Sequence, residues 1–276
     1  MTPTAREERI RGVGPASTAA TTITGRQGMY WLARRETLRV SKLWTQTILA
    51  PVVSSLLFIL VFGLSLSGRV RNVSGVPYDQ FIVPGLIAMA MVQAAFTNNA
   101  STLFQARFDR YINDILSSPM HPWQMTIGFV IGGVYRGLLI GVGLLVLSVL
   151  LTGISIAHPA ALIAVVALCL LLFASFGTVV GVYAQSWDST SFIATIVIMP
   201  LAFVGGTFYS VSLLASPWEE LTHVNPIFYM VQAMRFGLLG ESDVSIWLSL
   251  GVTAALAIPA YLWAQWLFTT GRKLKA

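Results

Sequence analysis

The sequence predicts an all-α membrane protein with six transmembrane helices. Two observations carry that expectation. Apolar residues make up 55% of the 276 positions and charged residues only 10%, with a mean hydropathy of +0.74, whereas a soluble domain carries about 25% charged residues. The apolar residues also gather into six runs, each near the ~20 residues that a helix needs to cross a bilayer. They fall at about residues 47–67, 81–103, 125–152, 160–184, 190–213 and 246–268. A soluble core of this length has no use for so much apolar surface, so the bilayer is the expected solvent.

Ahead of the first run, residues 1–25 are rich in Thr, Ala, Gly and Arg without periodicity and read as a disordered tail. Residues 26–276 read as one transmembrane domain. The stretch "RQGMYWLARRETLRVSKLWT" at 26–45 reads as an amphipathic helix. At ~100° per residue, Met29, Leu32, Val40, Leu43 and Trp44 gather on one side and Arg35, Arg39 and Lys42 form a stripe on the other. With Tyr30, Trp31 and Trp44 at headgroup depth, it is expected to lie in the membrane interface; the alternative is an extension of the first span. The first 46 residues hold no apolar stretch, so a cleavable signal peptide of the usual pattern is not expected.

Orientation follows from Lys and Arg in the loops. With the N-terminus cytoplasmic, thirteen of them fall on the cytoplasmic side and three, Arg69, Arg71 and Arg235, outside. Both termini are therefore expected in the cytoplasm. The net charge of +6 is then an orientation signal, and no nucleic-acid partner is expected. The one cysteine, Cys169, lies in an apolar run and excludes an intrachain disulfide.

Between the second and third runs stands "RFDRYINDILSSPMHPW", residues 107–123. As a helix it places Phe108, Ile112 and Ile115 on one stripe, flanked by Arg107, Arg110 and Asp114. Pro119 is expected to end it, because a residue before proline is pushed out of helical geometry. The stripe has two uses: to lie back on its own protein, or to enter a groove on a partner. Before the last run, residues 216–240 do not read as a seventh span. Pro217, Pro226, Glu219 and Glu220 interrupt them, and an odd number of spans would put the basic C-terminus outside. Two short helices dipping in from the outer face are expected.

The order of these elements resembles the membrane subunit of type-2 ABC exporters. "RYINDILSSPM" is similar to that family's coupling-helix segment, and "SPWEELTHVNPIFYMVQAMRFGLLG" is similar to its signature before the last span: Asn-Pro, an aromatic, then Arg. The resemblance covers about residues 26–272 and the second motif is the more specific. One departure is "YSVSLLASP" after "PLAFVGGTF", where many members place a proline sooner.

The resemblance implies a permease of the bacterial inner membrane that pairs with a second, identical or similar permease and with two ABC ATPase subunits. It implies that Arg107, Phe108, Arg110, Tyr111, Ile112, Asp114, Ile115 and Pro119 form the ATPase-docking coupling helix. Re-entrant outer helices would close the path, with Asn225, Pro226, Tyr229 and Arg235 in structural roles at that outer gate. Cargo would be a lipophilic drug-like molecule, a lipid or a lipid-linked glycan, moved outward.

No G-x-x-x-x-G-K-[ST] phosphate loop occurs, so no cofactor is expected in this chain, and ATP and Mg belong to the partner ATPase. "GLSLSG" is not a nucleophile elbow. His121, His158 and His223 fall on different loops, and no carboxylate pair lies in the spans, so an enzyme is not expected. A secondary transporter or channel is the remaining alternative, although the halves show no internal repeat. Within the runs, Gln93, Asn98 and Asn99 are expected either to line a path or to pack helices. Arg136 is expected either to meet an ion or substrate or to snorkel to the inner surface. Pro200 with Gly205 and Gly206 marks a bend in the fifth span.

Overall fold

The computed structural model describes residues 24–67, 72–73, 75–211 and 215–274. The expected disordered tail falls almost wholly outside these residues, as do Arg69 and Arg71. Among the described residues, six helices are long and apolar enough to cross a membrane, as the runs predict: spans 1 to 6 at Thr45–Phe62, Tyr78–Phe108, Pro122–Thr152, Pro159–Tyr183, Trp187–Thr207 and Ile246–Thr270. Shorter helices accompany them. Helix α1 (Gly25–Lys42) precedes span 1, α2 (Ile112–Ser117) lies between spans 2 and 3, and α3 (Trp218–Val224) and α4 (Pro226–Leu239) lie between spans 5 and 6. A small hairpin of β1 (Asn72–Val73) and β2 (Val76–Pro77) joins spans 1 and 2.

Leu32 of α1 and Leu274 after span 6 share one apolar cluster, so both belong to the same end of the bundle, here the near end. The hairpin, α3 and α4 lie at the far end.

Span 2 is the axis of the bundle. Its most apolar stretch is 78% buried, against 11% for span 1. Lipid tails are as apolar as leucine, so spans gain little by hiding apolar surface from lipid and associate instead through close packing. Small residues permit that approach. A Cβ at Gly177 of span 4 would lie 2.3 Å from the Phe96 carbonyl oxygen, and one at Gly133 of span 3 would lie 2.6 Å from Asn99 Oδ1. The same device docks α1, whose Leu32 and Glu36 side chains lie against Gly128 and Gly132.

Spans 1 and 5 are irregular. A π-helical turn at Thr45–Leu49 opens span 1, and further π turns occur at Ala194–Ile198 and Phe203–Thr207 on either side of Pro200. Proline has no N–H to give the preceding turn, and Gly206 then adopts φ 80°, a conformation that glycine enters without steric cost. The bend expected from Pro200, Gly205 and Gly206 is therefore a break with two widened turns.

The segment after span 2 differs from the single stripe that the periodicity suggests. Span 2 runs to Phe108, the chain turns with Arg110 at φ 61°, and α2 starts afresh at Ile112. Phe108 and Ile112 thus face apart, the first 69% exposed and the second 1%. A left-handed residue stops one helix and re-aims the next, and burial of Ile112 holds the result. Pro119 does end the helical segment, since Ser118 is extended.

Gly177→Val is expected to destabilise the fold by about 1–3 kcal/mol through overpacking against span 2. Gly251, around which a Cβ meets open space, tolerates alanine. Thermal unfolding of both variants in mild detergent checks this, and equal midpoints would contradict the packing account.

Candidate functional site

At the near end, α2 is seated rather than free. Ile112 lies in a cluster with Leu32 of α1, Leu103 of span 2, Met125 and Phe129 of span 3, Val179 of span 4 and Leu267 of span 6, and Tyr111 and Ile115 pack against it. The Arg35 guanidinium lies 4.2 Å over the Tyr111 ring. Arg107 turns away from α2: its Nη1 donates to the carbonyls of Ala184 at 3.1 Å and Gly181 at 3.4 Å, closing the end of span 4. Phe108, Asp109, Arg110, Asn113, Asp114 and Pro119 are exposed. Of the expected stripe, Phe108 alone is exposed, Ile112 is core and Ile115 is half-buried.

Helix α1 departs from the expected two-sided wheel. Leu32 and Val40 are buried against the bundle, but so is Glu36 between them. Arg39, expected on the outer stripe, turns inward. Its Nη2 lies 3.1 Å from Glu36 Oε2 and donates to Asn98 Oδ1 at 3.1 Å and to Thr102 Oγ1. Tyr30, Trp31, Lys42, Leu43 and Trp44 remain exposed. The polar thread continues inward. Asn98 Nδ2 donates to Asn99 Oδ1 at 3.1 Å, and Asn99 Nδ2 donates to the Ala174 carbonyl at 2.9 Å and to Thr178 Oγ1 at 3.1 Å. Asn98 and Asn99 therefore join α1, span 2 and span 4, which is the packing alternative.

Gln93 and Arg136 go elsewhere. They line a cleft of about 400 Å³ walled by spans 1, 2, 3 and 5. Arg136 Nε donates at 3.2 Å to the Thr47 carbonyl, within the π turn that opens span 1. That contact sets Arg136 level with the near-end start of span 1.

At the far end, the motif residues close on the broken fifth span. Asn225 caps α4, its Oδ1 accepting from Ile227 N at 3.0 Å, and its Nδ2 donates to the Leu201 carbonyl at 2.6 Å. Pro226 occupies the first turn of α4, where its missing N–H costs nothing. Tyr229 Oη donates to the His223 carbonyl at 2.9 Å, tying α4 to α3. Arg235 is 3% exposed. Its Nη2 donates to the Gly206 carbonyl at 2.8 Å, its guanidinium stacks 3.9 Å over Phe81, and Asp243 Oδ2 lies 3.8 Å from Nη1. Asp243 in turn accepts from Gln232 Nε2 at 2.8 Å and from Ser210 Oγ at 3.0 Å. The motif thus satisfies carbonyls that the break in span 5 frees.

Of two residues in these arrangements that the sequence expectations leave out, Glu36 is legible in the sequence and Asp243 is not. Glu36 stands four residues from both Leu32 and Val40, which puts it on the buried face. Asp243 counts in the sequence only as an outer acid, because nothing local reveals its pairing with Gln232 and Arg235.

These features define a multi-pass membrane protein with a cleft along one wall of its bundle. The ABC-2 type transporter family matches residues 27–239, and the chain belongs to that family. It is 35% identical over 253 residues to inner membrane transport permease YadH of Escherichia coli (strain K12), covering 90% of this chain and 99% of that one. It is 27% identical over 241 residues to nodulation protein J of Rhizobium leguminosarum bv. viciae, covering 85% and 92%. Nodulation protein J of Rhizobium meliloti (strain 1021) is 26% identical over 234 residues, covering 84% and 89%. The chain is accordingly the membrane subunit of an ABC transporter, and family membership implies an ABC ATPase as its partner.

Burial raises the Glu36 carboxyl above its ordinary 4.5, opposed by the charges of Arg39 and Arg35. The folded state therefore keeps a proton that the unfolded chain has released. Stability is expected to fall as pH rises from about 4.5 through the raised value. Glu36→Gln removes that slope. Unfolding midpoints of both proteins across this pH window check it, and parallel profiles would contradict it.

Proposed function

We propose that this subunit is an exporter permease whose near end faces the cytoplasm and whose exposed turn at Phe108–Asp114 docks a separate ABC ATPase. The observation that carries this reading is the division of labour within 107–119. Phe108 and Asp114 are exposed, while Ile112, a few residues away, sits in a cluster shared by α1 and spans 2, 3, 4 and 6. A push on the exposed turn would therefore reach most of the bundle through one buried side chain. ATP and Mg bind in the partner, and this chain converts the partner's closure into movement of spans.

The remaining roles follow from the same orientation. The thirteen-to-three distribution of Lys and Arg supports cytoplasmic termini. Helix α1 lies at the membrane interface, with exposed Tyr30, Trp31, Lys42 and Trp44 at headgroup depth. Helices α3 and α4 enter from the outer face and close the outer end of the path as the outer gate. Span 1 buries little surface within its own chain and is available to a second permease copy. Two permeases with two ATPases would then enclose the path, with the cleft between spans 1, 2, 3 and 5 facing it. The lipophilic character of the cargo follows from the largely apolar wall.

Phe108→Asp is expected to weaken association with the ATPase by about tenfold or more while leaving the permease stable, since an exposed apolar anchor is lost. Ile112→Asp is expected to lower the permease's own unfolding midpoint, because it buries an unpaired charge at a cost of several kcal/mol. Co-purification of the ATPase and thermal unfolding of the permease separate the two. Full ATPase retention by a stable Phe108→Asp variant would overturn the docking role.

A further inference from the structure

The cleft has two unlike ends. Span 1 rises from Gln46 at the near end to Phe58, span 2 descends from Leu86 to Thr97, and span 5 rises to Phe203 and the following Phe208. Gln46, Gln93, Thr97 and Arg136 therefore gather toward the near end, and Leu86, Phe58, Phe203 and Phe208 toward the far end. The twelve residues from Leu86 to Thr97 cover about 16 Å of helix, close to half of a ~30 Å hydrocarbon core. The cleft thus runs about 16 Å along the bundle, polar toward the near end and aromatic toward the far end.

Among the described residues, Arg136 is the one charged residue on its wall. Among the described residues the ion pairs are Arg39–Glu36 and Arg235–Asp243, and neither involves Arg136. A cation at the edge of the membrane without an acid calls for a counter-charge.

The geometry points to an anionic amphiphile from the near-end leaflet as the ligand of this cleft. Its phosphate or carboxylate head pairs with Arg136, the amides of Gln46 and Gln93 supply further polar contacts, and its tail runs along Phe58, Phe203 and Phe208. That this molecule is cargo rests on the exporter reading; that it binds does not, so the two fail separately.

The full chain in detergent is titrated with phosphatidylglycerol, with zwitterionic phosphatidylcholine and with glycerol 3-phosphate, and bound lipid is read by native mass spectrometry. Phosphatidylglycerol is expected to bind about tenfold more tightly than phosphatidylcholine, the worth of one charge-assisted contact. Arg136→Gln should erase that preference and Arg136→Lys should keep most of it. Gln93→Glu, which places an acid on the same wall, should also erase it without removing the arginine.

Preference surviving both Arg136→Gln and Gln93→Glu would overturn the proposal. So would its loss on Lys42→Gln alone, which would put the anion on the outside of α1. Glycerol 3-phosphate binding as tightly as the lipid would overturn the amphiphile and leave a free phosphate site. ATPase co-purification on the same samples reports on the exporter reading independently.

Discussion

In hydrocarbon there is no water to take up a backbone carbonyl, so every break or end of a span needs a partner supplied by the protein. This constraint organises the molecule. The carbonyls freed by the break in span 5 go to Asn225, Arg235 and Tyr78: Leu201, Gly206 and Phe208 respectively. The last carbonyls of span 3 and span 4 go to Gln80 and Arg107, and the π turn opening span 1 gives its Thr47 carbonyl to Arg136. Residues that a sequence reading picks out as functional because they are polar in an apolar chain are, in most cases, the partners of these groups. Of them, Arg136 alone also lines the cleft without an acid beside it.

The two ends of the bundle use different means to the same effect. At the near end, Glu36, Arg39, Asn98 and Asn99 run a polar thread from α1 through span 2 to span 4, and glycines in spans 3 and 4 allow the helices to come close enough to form it. At the far end, α4 packs so tightly on span 4 that a Cβ at Gly237 would lie 3.0 Å from the Leu162 backbone. The His158 ring stacks on Phe236 at 4.4 Å, and the His158 amide donates to the Gly237 carbonyl. Spans 2, 3 and 4 are thereby held at both ends, while the cleft opens along spans 1 and 5, the two that are irregular.

The six spans were legible because length and hydropathy are what the bilayer selects, and these are local properties. The Asn225–Pro226 pair and the stop at Pro119 were legible for a similar reason, since capping and proline sterics act within a few residues. What stayed hidden was set by tertiary partners. The turn of Arg110 at φ 61° splits a plausible stripe because Ile112 finds a core that no window of sequence contains. Arg39 has the pattern of a headgroup residue, and only the position of Asn98 and Thr102 on another span reveals that it points inward. Arg107 reads as part of a docking surface until the end of span 4 is seen beside it.

The central claim is that α4 holds the broken fifth span by taking its free carbonyls, and hydrogen exchange tests it most directly. Amide exchange over residues 199–211 is measured in lipid nanodiscs for the wild type and for Arg235→Met, which keeps the bulk and removes the donors. The account predicts faster exchange confined to that stretch and to the residues around Asp243, with spans 2 to 4 unchanged. Identical exchange in the two proteins would mean that span 5 keeps its shape without the arginine, and would contradict the account.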